Sequence, residues 1–146
     1  MNDCSEESFL PVQRIVFALN KARNLLTADM DVALLGTRVT SSQVGALLLL
    51  LTRAGACTSV GLAKLLGVDP GYVTRLIDQL ERQCLVRRER NSPDRRVVNL
   101  ALTEAGRDLA VRIAEIAPAV LNRRLSGFTP LEFEALCRLL SKLLDE

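Results

Sequence analysis

Apolar residues in the first part of the chain recur at helical spacing. Between Phe9 and about Val32 they fall at Leu10, Ile15, Val16, Leu19, Ala22, Leu25 and Leu26. A stripe of that period predicts one long amphipathic helix. The eight residues before it are polar and predict a frayed end. The segment LLGTRVT interrupts the pattern. Thr40 then opens a second helix with Gln43 three residues on, the arrangement of a capping box. The run VGALLLLL carries that helix to about Arg53, with Gly55 as its stop. It is apolar all round, which predicts burial.

The next elements are shorter and more sharply punctuated. Thr58 or Ser59 can cap a helix over VGLAKLLG that stops at Gly67. In VDPGYVTRLIDQLERQCLV, Asp69 suits the N-cap and Pro70 the first helical position. Val73, Leu76, Ile77 and Leu80 form its apolar stripe, which turns Gly71, Tyr72, Thr74, Arg75 and Gln79 outward. Two short helices joined by a tight turn make a helix-turn-helix. LVRRER and RVVNLAL then read as two strands, with NSPD supplying the turn. A hairpin straight after a helix-turn-helix is a wing. Thr103 caps a further helix, EAGRDLAVRIAEIAPAVLNRRL, in which Pro118 predicts a kink and after which Gly127 marks a break. Thr129, Pro130 and Glu132 open the last helix with a full capping box, and Leu131, Leu136, Leu139, Leu140, Leu143 and Leu144 line it.

The fold class is therefore mostly α with a small β wing. The 146 residues are one domain's worth of chain, and 49% of them are hydrophobic. The first and last helices carry more apolar surface than so small a core can absorb, which marks them as dimerisation helices. The division expected is a single domain over 1–146, with dimerisation helices at 9–35 and 104–146 around a winged helix-turn-helix lobe at 40–103.

Charge changes this picture. The net charge is only +2, but it is unevenly placed. Residues 82–96 hold Arg82, Arg87, Arg88, Arg90, Arg95 and Arg96 against Glu89 and Asp94, a local excess of +4 that leaves the rest of the chain slightly acidic. A basic patch on an acidic body points to a polyanionic partner. The chemistry of the remaining residues excludes other classes. There is no histidine for acid–base work, and no GxSxG or phosphate-binding loop is present. Cys4, Cys57, Cys84 and Cys137 are too scattered to make a zinc site. No cofactor or metal is expected, no enzymatic activity, and no membrane span, since the longest apolar run falls well short of the roughly 20 residues required. Free thiols and a polar N-terminus fit a reducing cytoplasm.

The order of elements, together with Asp94-Arg95-Arg96, then VVNLAL, then Thr103-Glu104-Ala105-Gly106, resembles the MarR family of bacterial transcriptional regulators. The stretch LAKLLGVDPGYVTRLIDQLERQCLV is similar to that family's helix-turn-helix, and the resemblance spans about Phe9 to Leu144. It implies a homodimer whose intertwined chain ends set two recognition helices on a palindromic DNA operator. Direct readout from a helix in the major groove would fall to Pro70, Gly71, Tyr72, Thr74 and Arg75. The resemblance places Arg96 in the minor groove with Asp94 as its brace. Arg95 would stand beside it, and Arg87, Arg88 and Arg90 would meet phosphates along the wing strands. It also implies release by a small aromatic or phenolic effector, whose pocket the sequence does not name; Arg14, Asn20 and Arg23 could meet a carboxylate but serve equally as surface residues. Two alternatives stay open. One branch of the family senses peroxides through a first-helix cysteine, but Val16 stands in that place here. A winged helix can also bind protein in place of DNA.

Overall fold

The computed structural model describes residues 11–53, 55–90 and 93–146. The frayed end expected at 1–8, and Asn91 and Ser92 of the NSPD turn, lie outside the described residues. The elements run α1 (Pro11–Ala33), α2 (Ser41–Thr52), β1 (Cys57–Thr58), α3 (Ser59–Leu66), α4 (Pro70–Arg82), β2 (Val86–Glu89), β3 (Asn99–Leu102), α5 (Glu104–Leu125) and α6 (Pro130–Leu144).

Local chemistry sets most of the boundaries. Gln43 Oε1 accepts the Thr40 N–H at 3.1 Å, while the Thr40 hydroxyl lies 2.7 Å from Ser42 Oγ. The Thr58 hydroxyl accepts from Gly61 N at 3.1 Å and starts α3, so Thr58 and not Ser59 is the cap. Gly67 ends α3 in the left-handed conformation at φ 64°, which glycine adopts without a Cβ penalty. Thr103 and Thr129 accept from Gly106 N and Glu132 N at the starts of α5 and α6.

The core forms where α2, α3, α4 and α5 meet. Leu47, Leu62, Val73, Ile77, Leu80 and Ile113 are fully buried there. Each such side chain stabilises the fold by about 1.5–3 kcal/mol relative to its exposed state. Only part of α2 is fully buried (Gln43, Val44, Ala46 and Leu47), while Leu48 to Leu51 are half-buried. That is less than the expected all-round burial. α5 passes through Pro118 and continues to Leu125, carried by buried Ile113, Ala117 and Val120.

The wing differs from expectation in three ways. It is a three-stranded antiparallel sheet of order β1-β3-β2, with Val86 opposite Leu102, Glu89 opposite Asn99 and Cys57 opposite Leu100. β1 was missed because two residues carry no periodicity. β2 stops at Glu89 and leaves Arg90 outside, and β3 begins only at Asn99. The cause of the late start is a turn: Val97 N donates to Asp94 O at 3.0 Å, which keeps Val97 out of the ladder.

α1 and α6 stand apart from this core. Met30 is the one buried residue of α1, and α6 has none. Their apolar rows face outward, with Phe17 71% and Leu131 77% exposed. α1 is tied to α5 by a bidentate ion pair, Arg124 Nε and Nη2 donating to Asp29 Oδ2 and Oδ1 at 2.6 and 3.0 Å. Asp31 Oδ1 accepts from Ser41 N at 2.7 Å and tethers α1 to the start of α2. Among the described residues no helix is long and apolar enough to cross a membrane.

Candidate nucleic-acid interface

α4 is held by its apolar stripe and presents its other side. Val73, Leu76, Ile77 and Leu80 are buried, whereas Pro70, Gly71, Tyr72, Thr74, Arg75 and Gln79 are exposed. Asp69 caps the helix by accepting from Tyr72 N at 3.1 Å. Its carboxylate lies close over position 71, where a Cβ would sit 2.8 Å from Asp69 Oδ2 and would require that side chain to shift. The open N-terminal turn is a place where backbone N–H groups meet anions. Arg75 extends back over this turn, its Nη1 3.9 Å from that same Cβ position. Thr74 donates its hydroxyl to Pro70 O at 3.0 Å, so its free functions are a methyl group and an acceptor lone pair.

The wing stands beside α4 on the same lobe. Asp94 Oδ1 accepts the Arg96 backbone N–H at 2.9 Å. Asp94 thus braces the turn through its backbone, and Arg90, Arg95 and Arg96 are exposed around that tip. At the wing's base, Thr103 Oγ1 donates to Cys84 O at 2.7 Å and Thr103 N to Leu85 O at 3.1 Å. This joins the end of β3 to the end of α4. Gly106 packs so tightly on that junction that a Cβ would sit 1.8 Å from Leu85 O.

Two of the wing arginines are paired within this chain. Arg87 pairs with Glu89 along its own strand at 2.6 Å. Arg88 turns to α4, where Nη2 donates to Asp78 Oδ1 at 2.7 Å and Nη1 to Glu81. The Asp78 hydrogen bond raises the Arg88 pKa above its already high ordinary value; burial opposes this, and the charges of Glu81 and Asp78 add to it. Arg88 was expected to meet a phosphate; within this chain both ends of its guanidinium are engaged by carboxylates.

Other polar links could not be read from the sequence. Gln43, the buried polar side chain of α2, donates from Nε2 to Gln83 Oε1 at 3.2 Å, and Gln83 Nε2 donates to Arg38 O at 2.7 Å. This chain connects the α1–α2 corner to the C-terminal cap of α4. The described thiols sit in different environments. Cys57 is buried, and burial pushes its pKa up. Cys84 and Cys137 are exposed, and Cys84 follows α4 at φ 58°. Among the described residues no group of histidine, cysteine and carboxylate side chains could hold a metal ion.

Residues 39–98, which span α2 to the wing turn, match the model of the MarR family. Over that stretch the chain is similar to the MarR family. The HTH-type transcriptional regulator YwhA of Bacillus subtilis (strain 168) is 27% identical over 117 residues, covering 80% of this chain and 84% of that protein. Among solved structures, CouR from Rhodococcus jostii RHA1 bound to p-coumaroyl-CoA superposes with a TM-score of 0.79 at 26% identity, over 88% of this chain and 90% of the other. BpsR of Bordetella bronchiseptica, whose DNA binding is regulated by 6-hydroxynicotinic acid, gives a TM-score of 0.82 at 25% identity, over 94% and 98% of the two chains. Proteins of this family act by binding DNA and not by catalysis.

Proposed function

We propose that this chain is a regulator of the MarR family, a cytoplasmic repressor that binds an inverted-repeat operator as a homodimer and leaves it when a small aromatic effector binds. The observation that carries the DNA reading is the exposure, on one lobe, of the Pro70–Arg75 face of α4 beside an arginine-tipped wing. Such a pair fits a major groove and the adjoining minor groove, where negative potential attracts arginine. Pro70, Gly71, Tyr72, Thr74 and Arg75 would face base edges and phosphates, and Arg95 and Arg96, held by Asp94, the minor groove. Arg90 would lie along a phosphate backbone.

The homodimer is supported by the uncovered apolar rows of α1 and α6. Residues 9–35 and 104–146 would serve it, and 40–103 would form the DNA-binding lobe. The elbow between α5 and α6 holds a cleft of about 510 Å³ lined by Leu125, Phe128, Pro130 and Phe133 among others, apolar groups that the same partner subunit would cover. An aromatic effector is supported by what CouR and BpsR bind or answer to. It needs only a differential affinity for the DNA-bound and free states.

The test is fluorescence anisotropy of the purified protein with the duplex upstream of its own gene and with a scrambled duplex, over a range of salt. Selective binding that weakens steeply with salt is expected, with a slope of about 0.9 per phosphate neutralised. Equal, weak binding to both duplexes would count against this operator. Addition of 6-hydroxynicotinic acid or p-coumaroyl-CoA then asks whether aromatic acids or their thioesters release the DNA.

A further inference from the structure

The wing and α4 are joined covalently only through the turn Gln83–Leu85; β1 pairs with β3 on the far edge, Cys57 opposite Leu100 and Thr58 opposite Asn99, and leaves β2 as the edge beside α4. Arg88 supplies a second anchor. It lies in the interior of β2, and its guanidinium spans Asp78 and Glu81, two carboxylates one helical turn apart on the side of α4 that faces the wing. Its side chain is 29% exposed against 42% and 43% for the two carboxylates, so the arginine is the more enclosed partner. Arg87 on the same strand is 58% exposed and pairs with Glu89.

We infer that Arg88 is a positioning residue for nucleic-acid binding: it clamps the wing to α4 and so fixes the angle between the Pro70–Arg75 face and the Arg95–Arg96 tip. The inference rests on the DNA-binding reading above. Its physical basis is the planar fork of arginine, which can serve two carboxylates at once where a lysine ammonium cannot hold the same geometry. Two elements that enter two grooves of one duplex bind more tightly when their relative placement is set before binding, because less ordering remains to be done. Arg88 also neutralises Asp78 and Glu81, which would otherwise stand unpaired between the two basic contact surfaces.

The clamp and a direct phosphate contact predict opposite signs for one double substitution. Asp78→Asn with Glu81→Gln makes the lobe more positive and frees Arg88. If Arg88 acts on DNA by its charge, this protein binds operator more tightly and its salt slope steepens. If Arg88 is a clamp, operator affinity falls about tenfold with the salt slope unchanged. Arg88→Lys, which keeps the charge, is expected to lose a similar factor; wild-type affinity in that variant would overturn the proposal. Hydrogen exchange of the wing amides in the free protein gives a reading independent of DNA. Faster exchange over β2 and β3 is expected in both variants, and unchanged exchange would overturn the clamp whatever the DNA result. Unselective binding by the unsubstituted protein would count against the DNA reading alone.

Discussion

Single residues decide two different things in this lobe, its packing and its reading of DNA. Gly106 belongs to packing. The first turn of α5 lies against the α4–β2 junction with no room for a methyl group, since a Cβ would meet the Leu85 carbonyl oxygen at 1.8 Å. The obstacle is backbone, which cannot turn aside as a flexible side chain can. Gly106→Ala is therefore expected to destabilise by about 3 kcal/mol or more, at the upper end of overpacking costs, and urea unfolding followed by circular dichroism measures it. Arg75 and Arg96 belong to recognition and should separate in kind. Arg75→Ala is expected to cost roughly 1–3 kcal/mol and to relax sequence preference, whereas Arg96→Ala should weaken all sequences alike and lower the salt slope by about one. Anisotropy on operator and scrambled duplexes tells the two apart. Equal losses on both duplexes for Arg75→Ala would remove its base-reading role.

At the scale of elements, the sequence was most legible where a boundary depends on residues within a turn of one another. Thr40, Thr58, Asp69, Thr103 and Thr129 each stand at a helix start, and Gly67 stands at a helix end. These are local hydrogen bonds and local dihedral preferences, written in adjacent residues. Partners distant in sequence left no such trace. Nothing in either segment announces that Gln43 meets Gln83, that Arg88 meets Asp78 and Glu81, or that Arg124 meets Asp29. Each pairing exists only once the helices are packed. The same limit explains the candidate interface: its exposed residues were legible from helical period, but the engagement of Arg88 was not.

The Arg124–Asp29 pair is the link between α1 and α5 that can be tested by pH. The Arg124 hydrogen bond lowers the Asp29 pKa from its ordinary 3.8, and the charges of Arg124 and Arg123 add to this while desolvation opposes it. A depressed folded pKa means that the charged form is favoured in the folded state. The contribution is therefore complete above the ordinary carboxylate value and is lost as pH falls through the lower, folded one. Both groups are solvent-accessible, so the effect is small, although its bidentate geometry sets it above a typical surface pair. Asp29→Asn should lower the Tm at neutral pH by an amount that shrinks toward zero below pH 3.8. A gap that stays constant across the acid range would mean that the charge of Asp29 plays no part.

On the scale of the whole molecule, the lobe and its long helices make different demands. The lobe buries its own core. The long helices leave Val12, Ile15, Val16, Phe17, Leu139, Leu143 and Leu144 exposed, and so many large apolar side chains left uncovered on two helices mark an association site. Covering it with a second copy would form an extensive apolar interface of the kind found in obligate dimers. It would also hold two lobes at a fixed separation, which converts the second half-site contact into an intramolecular event. Phe17→Asp and Leu143→Arg place charges on this surface at positions 71% and 59% exposed in one chain, so neither disturbs the core of the lobe. Sedimentation should find the unsubstituted protein at twice its 16.0 kDa chain mass and both variants at the single mass with some loss of helicity, because α6 buries nothing of its own. Operator affinity should fall about a hundredfold or more as avidity is lost, while the weak binding of one lobe to scrambled DNA persists. Variants that remained dimeric would move the interface off this surface, and monomeric variants that kept full operator affinity would show that one lobe suffices and that the operator need not be an inverted repeat.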